Sequence, residues 1–194
     1  MDELTATLDA RLRAGVRDVP DFPNPGIVFK DITPVLLDAA LFRAVTDAMA
    51  GWATGMDITH VVGIESRGFI FGAPVAQALG VSFVPMRKPG KLPGATVAER
   101  YALEYGTDTL EVHADAFAGS RGVMVVDDVL ATGGTAAAAC RLVERAGGRV
   151  LLCGFLMELG LLDGRSLVGD RRPSTSPLTA YISSATTTTT IRCS

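Results

Sequence analysis

Arg121 to Thr135 reads RGVMVVDDVLATGGT, and these fifteen positions decide the fold. An apolar run, Val123 to Val126, stops at Asp127 and Asp128, passes through Ala131, Thr132, Gly133, Gly134 and Thr135, and continues as GTAAAACRLVERAGG. A short run rich in valine predicts a buried strand. The alanine-rich stretch that follows, closed by Gly147 and Gly148, predicts a helix. A buried strand that turns through a few small residues into a helix is the repeating step of an α/β fold.

Outward from this step the alternation recurs. ITHVVGI from Ile58 predicts a strand, GFIFGAPVAQALG a helix ending at Gly80, VSFVPM from Val81 a second strand, and RVLLCGFLMEL from Arg149 a strand after the quoted one. Nearer the N-terminus, Leu4, Leu8 and Leu12 mark one face of a helix. DAALFRAVTDAMAGWA from Asp38 sets Leu41, Val45, Met49 and Trp52 on another, with Asp38 as N-cap. The expected fold is α/β, a central mainly parallel sheet flanked by helices, with ligands beyond the carboxyl ends of the strands. Two segments break the pattern. RKPGKLPGATVAERYALEYGTDTLEVH, from Arg87, predicts a loop or hairpin excursion, expected to be mobile over about residues 88–107. The Ser/Thr-rich residues 170–194 predict a tail with little to bury, apart from an apolar patch at Leu178 to Ile182.

Composition sets the limits. With 194 residues, 48% of them hydrophobic, the chain is expected to form one domain over residues 1–169. A net charge of -3 provides no general basic field, which argues against nucleic acid or an anionic membrane as partner. Cys140, Cys153 and Cys193 lack the spacing of a metal or disulfide framework, the first fifteen residues lack a signal-peptide pattern, and no long apolar span occurs. A cytoplasmic protein is the expectation.

At the quoted stretch, amides of the turn and of the helix start converge on one point and favour an anion there, with Thr132 and Thr135 as further donors. Asp127 and Asp128 suit sugar hydroxyls or a hydrated divalent cation instead. A sugar phosphate satisfies both. The plainer alternative is a tight strand-to-helix connection that binds nothing. A nucleoside triphosphate or dinucleotide site is disfavoured, because the sequence holds neither G-x-x-x-x-G-K-[ST] nor G-x-G.

VVDDVLATGGT resembles the phosphoribosyl-pyrophosphate signature of the type I phosphoribosyltransferases. DFPNPGIVFKDITPVL from Asp21, GIESRGFIFG from Gly63, RKPGKLPG from Arg87, YALEYG from Tyr101 and FLMELGLLDGR from Phe155 make the wider sequence similar to the adenine-specific members. The resemblance implies Mg²⁺-dependent transfer of phosphoribosyl from phosphoribosyl pyrophosphate to adenine by a homodimer. It places the 5′-phosphate at Ala131 to Thr135 and the ribose hydroxyls at Asp127 and Asp128. Mg²⁺ is implied on substrate oxygens and water, with Asp127 and Asp128 as the nearby carboxylates. Ser66 and Arg67 are implied at the pyrophosphate, with Arg87, Lys88 and Lys91 reaching it partly across the dimer interface.

The resemblance further implies a hood and base pocket from about residues 20–35 and 155–167. There Phe29 stacks on adenine, the Val28 backbone reads its amino edge and Leu159 closes the other side. Lys30 stands where many relatives carry arginine, and so lacks the planar fork. Glu104 is implied near purine N7 as a proton-exchanging group, and Tyr105 as the aromatic of a closing lid. On the residues alone, Arg67 is equally a surface cation, Phe29 a core aromatic and Glu104 an exposed strand carboxylate. Another base, such as xanthine or orotate, or a non-catalytic sensor of the sugar phosphate, would share the same phosphate motif.

Overall fold

The computed structural model describes residues 3–103, 106–169 and 178–183. The chain divides into two compact units, Met1–Ala48 and Met49–Ser194.

The first unit carries α1 (Glu3–Gly15), the antiparallel pair β1 (Arg17–Pro20) and β2 (Val28–Asp31), and α2 (Thr33–Leu37); α3 (Ala39–Gly51) begins in it. Asp38 caps α3 as expected, its Oδ1 accepting the Ala40 and Leu41 amides at 3.0 Å each. Asp31 does the same for Thr33 at 2.8 Å and also receives Arg17. Hydrogen bonds to its carboxylate, first from Thr33 and then from Arg17, hold the Asp31 pKa down to about 2. The helices close on one another because Gly15 has no side chain: a Cβ there would stand 3.2 Å from Leu41 and 3.3 Å from Val35.

The second unit is built on a parallel sheet of β3 (His60–Ile64), β4 (Ser82–Met86), β7 (Val123–Leu130), β8 (Val150–Glu158) and β9 (Leu178–Ser183), in the order β4-β3-β7-β8-β9. Helix α4 (Gly68–Leu79) links β3 to β4, and α5 (Gly134–Arg145) links β7 to β8. Val61, Val62, Val125, Val126, Leu152 and Phe155 are fully buried, as expected of strands covered on both faces. Gly80, at φ 67°, ends α4 where the sequence placed its stop. In this order the connections leave β3 and β7 in opposite directions. The topological switch point therefore lies between their carboxyl ends, where open α/β sheets bind ligands. Residues 65–67 follow the end of β3, and 127–135 form the end of β7, the loop after it and the start of α5.

Between β4 and β7 the expected excursion is a hairpin, β5 (Thr96–Leu103) and β6 (Gly106–His113), paired in register from Thr96 opposite His113 to Leu103 opposite Gly106. It is anchored on α5: Glu99 receives Arg141 Nε and Arg145 Nη1, each at 2.6 Å, and Arg145 also donates to the Ala98 carbonyl. Within the tail, the apolar patch that the sequence set apart lies in Leu178–Ser183, which adds to β8 as the edge strand β9. Its Leu-Thr-Ala-Tyr-Ile pattern has the β propensity that the flanking residues lack. Residues 170–177 and 184–194, with Cys193, lie outside the described residues, while Cys140 and Cys153 are buried with their sulfurs 3.6 Å apart.

Candidate active site

At the carboxyl end of β7 the chain leaves the sheet with Gly133 at φ 82°, a left-handed conformation that turns the next amides inward and starts α5 at Gly134. Arg67, Asp127 to Thr135 and Ala136 line a cavity of about 240 Å³. Every residue that the sequence placed at the sugar phosphate is thus on one cavity wall, joined by Arg67 from the β3 side.

The two glycines of this loop have a role that the sequence did not show. A Cβ on Gly133 would stand 2.3 Å from the Gly164 carbonyl oxygen, and a Cβ on Gly164 would stand 2.1 Å from the Ala131 oxygen and 2.9 Å from Gly133 N. The loop is therefore pressed backbone to backbone against the start of α6 (Gly164–Gly169). On its other side, a Cβ on Gly134 would meet the Ala102 carbonyl of β5 at 3.2 Å. The missing side chain of Gly133 thus makes room for the Gly164 backbone. Behind the loop, Leu159 N donates to Leu130 O at 2.9 Å, a 3₁₀ turn follows at Gly160–Leu162, and Arg165 closes back on the buried Glu158 carboxylate.

Arg67 Nε lies 2.9 Å from Asp128 Oδ2, an ion pair whose acidic side chain is 5% exposed. Asp127 turns one oxygen to the Asp128 amide at 2.9 Å and rests against Gly68 at the start of α4. Burial raises the Asp127 pKa well above its usual range, and the neighbouring Asp128 charge adds to the rise. Burial raises Asp128 too, and Arg67 opposes it. Two carboxylates close together in a confined site hold their charge at a cost that a ligand with hydroxyl donors would relieve.

The basic segment after β4 is ordered by a residue that sequence reasoning passed over. Glu65, joined to Ser66 by a cis peptide, receives Arg87 Nε at 3.3 Å, the Lys88 amide at 2.9 Å and Lys91 Nζ. Burial alone would raise its pKa; the hydrogen bonds from Lys91, Lys88 and Arg87 outweigh it and hold the carboxyl at about 2. Lys88 Nζ is bound to Asp108 and lies 3.1 Å from Tyr101 Oη, and Thr135 Oγ1 lies 3.4 Å from the same phenol oxygen. Tyr101, 5% exposed, thereby links the basic segment to the anion loop. Its place in YALEYG was visible in the sequence, but Asp108 and Glu65 carried no signal beyond being acidic.

Comparison with known proteins agrees with this geometry. Residues 36–166 match the phosphoribosyl transferase domain family. An adenine phosphoribosyltransferase of Myxococcus xanthus is 57% identical over 169 residues, 87% of this chain and 92% of that one. The crystal structure of the adenine phosphoribosyltransferase from Rhodothermus marinus superposes with a TM-score of 0.83 at 52% identity, over 92% of this chain and 99% of that one. That of the Giardia lamblia enzyme complexed with 9-deazaadenine gives 0.85 at 40% identity, over 92% and 98%. The chain belongs to the adenine phosphoribosyltransferase family.

Of the positions expected from the sequence at the base, Val28, Phe29 and Lys30 lie on β2 in the first unit and Leu159 in the second. Val28 is half-exposed, and the Phe29 ring meets Phe22 edge-on at 5.1 Å. Lys30 Nζ is engaged by Asp18 across the hairpin at 2.6 Å, so its charge is used within the first unit. Ser66 is exposed beside Arg67. Glu104 and Tyr105 lie outside the described residues, between β5 and β6 in the sequence. Among the described residues no group of three or more His, Cys, Asp or Glu side chains converges as a metal cage, and no helix is long and apolar enough to cross a membrane.

Proposed function

We infer that the chain transfers the 5-phosphoribosyl group of phosphoribosyl pyrophosphate to adenine, giving AMP and pyrophosphate. The observation that carries this reading is the meeting of an amide-lined anion loop, a confined carboxylate pair and Arg67 at the switch point of the sheet, in a chain of this family.

In this reading the amides and hydroxyls of Ala131 to Thr135 hold the 5′-phosphate, and Asp127 and Asp128 accept from the ribose hydroxyls. Ser66, Arg67, Arg87, Lys88 and Lys91 meet the pyrophosphate, the last three near the neighbouring site of a homodimer. Arg67 supplies a planar fork suited to two phosphate oxygens. As the bond from C1′ to pyrophosphate breaks, negative charge grows on the leaving group and these cations stabilise it, so rate comes mainly from positioning and electrostatics. Phe29 stacks on adenine, the Val28 backbone reads its amino edge, Leu159 covers it and Lys30 steadies the hairpin. Glu104 exchanges a proton with the purine while Tyr105 closes over the centre and excludes water.

Among the described residues, Asp127 and Asp128 are the only carboxylates lining the cavity. With no protein cage among the described residues, they suit a Mg²⁺ carried largely by substrate oxygens and water. When bound, the ion neutralises leaving-group charge. A cytoplasmic role in purine salvage, without nucleic-acid or membrane partners, completes the reading; the net charge of -3 provides no general basic field.

The test is turnover with phosphoribosyl pyrophosphate, Mg²⁺ and each of adenine, hypoxanthine, guanine, xanthine and orotate, read by chromatography of the nucleotide formed. AMP from adenine at a kcat/KM at least about 100-fold above the other bases is expected, since hydrogen-bonding sites discriminate that strongly. Preference for another base overturns the substrate, and phosphoribosyl pyrophosphate binding without turnover overturns catalysis.

A further inference from the structure

Each cation assigned to the pyrophosphate is paired with a carboxylate of the same chain: Arg67 with Asp128, Arg87 and Lys91 with Glu65, and Lys88 with Asp108. Four positive charges gathered at the carboxyl ends of β3 and β4 repel one another, and three carboxylates offset most of that repulsion. Glu65 and Asp128 are nearly inaccessible, but Asp108 and Lys88 are 30% and 32% exposed, a pair in partial contact with solvent. Such a pair holds its partners weakly enough for a multiply charged phosphate to displace it. None of the roles in the proposed transfer falls to Asp108. It stands on β6 with its other oxygen accepting the Thr109 amide at 2.7 Å, which aims the carboxylate at Lys88. Burial disfavours the charge on both partners, and the hydrogen bond between them restores it, so both stay charged at neutral pH.

We propose that Asp108 is an internal competitor of pyrophosphate: it holds Lys88 while the site is empty, yields it to the leaving group, and reclaims it as the product departs. The inference rests on the reading of Lys88 as a leaving-group cation. Because the apparent affinity of a ligand is reduced by the fraction of protein not ready to bind it, removing the competitor tightens pyrophosphate. Tyr101 Oη donates to Asp108 Oδ2 at 3.4 Å and accepts from Lys88 Nζ at 3.1 Å, so Lys88 keeps one local partner when Asp108 is neutralised.

The experiment is calorimetric titration of the full chain with inorganic pyrophosphate, in the native protein, Asp108→Asn, Lys88→Ala and the double variant, with inhibition of turnover by pyrophosphate measured alongside. Asn retains the acceptor for Thr109, and Asp108→Ser replaces it should Asp108→Asn lower the melting temperature. Expected is about three- to fivefold tighter pyrophosphate in Asp108→Asn, the range a partly exposed ion pair supports. Weaker binding in Lys88→Ala, an unchanged adenine KM, and loss of the tightening in the double variant complete the expected pattern. Unchanged or weaker binding in Asp108→Asn, with Lys88→Ala impaired, overturns the competitor role and leaves the assignment of Lys88 standing. Unchanged binding in Lys88→Ala overturns that assignment and the competitor role with it.

Discussion

The molecule holds two candidate anion sites within one unit, and they are made differently. The loop Ala131 to Thr135 is a backbone site, set by a left-handed Gly133 and wedged between the Gly164 backbone and the Ala102 carbonyl. The segment Arg87 to Lys91 is a side-chain site, its long cations laid on Glu65 and Asp108. A backbone site is ready before its ligand arrives and loses little entropy on binding, but it has no slack. A side-chain site is adjustable, and its strength depends on what else its charges touch.

The contrast is broken most sharply at Gly164. Gly164→Ala puts a methyl group within 2.1 Å of the Ala131 oxygen, so the anion loop must move although nothing facing the ligand has changed. Overpacking of this kind costs about 1–3 kcal/mol, and if the loop bears it kcat/KM falls about 10- to 100-fold. Steady-state kinetics should show the loss in the KM for phosphoribosyl pyrophosphate and not in that for adenine. A normal KM with a lowered melting temperature would mean that the loop is soft and the comparison mistaken.

Asp127→Asn comes next. Since the folded-state pKa of Asp127 is raised above 3.8, the charged form is disfavoured in the fold, and stability is lost as pH rises through the carboxylate range. Removing the charge should stabilise the protein at pH 7 by about 1 kcal/mol while weakening sugar-phosphate binding, the exchange of stability for activity common at sites. Thermal melts at pH 7 and pH 4 check it: the variant's advantage should shrink at the lower pH.

Glu65→Gln sharpens the other half and has the smallest expected effect. Here the folded pKa is depressed, from 4.5 to about 2, so the stabilisation is full above pH 4.5 and disappears as pH falls through 2. Its partners Arg87 and Lys91 are 33% and 46% exposed, which limits the contribution to about 1 kcal/mol. Urea melts of native and variant protein should differ by that amount at pH 6 and converge near pH 2. A difference that persists at pH 2 would assign it to packing rather than charge.

How much of this was legible in the sequence follows from the range of the interactions concerned. The strands β3, β4, β7 and β8, the cap at Asp38 and the stop at Gly80 rest on neighbours within a turn or a pleat, and composition and spacing disclose such things. The anion loop was legible for the same reason, because strand, acidic pair, glycines and helix start are contiguous. The base-facing positions were not: Phe29 and Leu159 became candidates through family resemblance alone, since one aromatic and one leucine carry no pattern. The strand at Leu178–Ser183 was half visible, as an apolar patch whose partner β8 nothing nearby named.

By itself, then, the sequence determined the α/β alternation, the place of the phosphate loop and the supply of cations, all of which are properties of local order and composition. Only the tertiary structure decided that Gly133 faces Gly164, that Glu65 gathers Arg87 and Lys91 from 22 and 26 residues away, and that Asp108 holds Lys88. Those contacts join residues whose separation along the chain bears no relation to their separation in space. Their geometry is set by how β3, β4, β6 and β7 are ordered and where α6 begins, and no window of sequence contains that information.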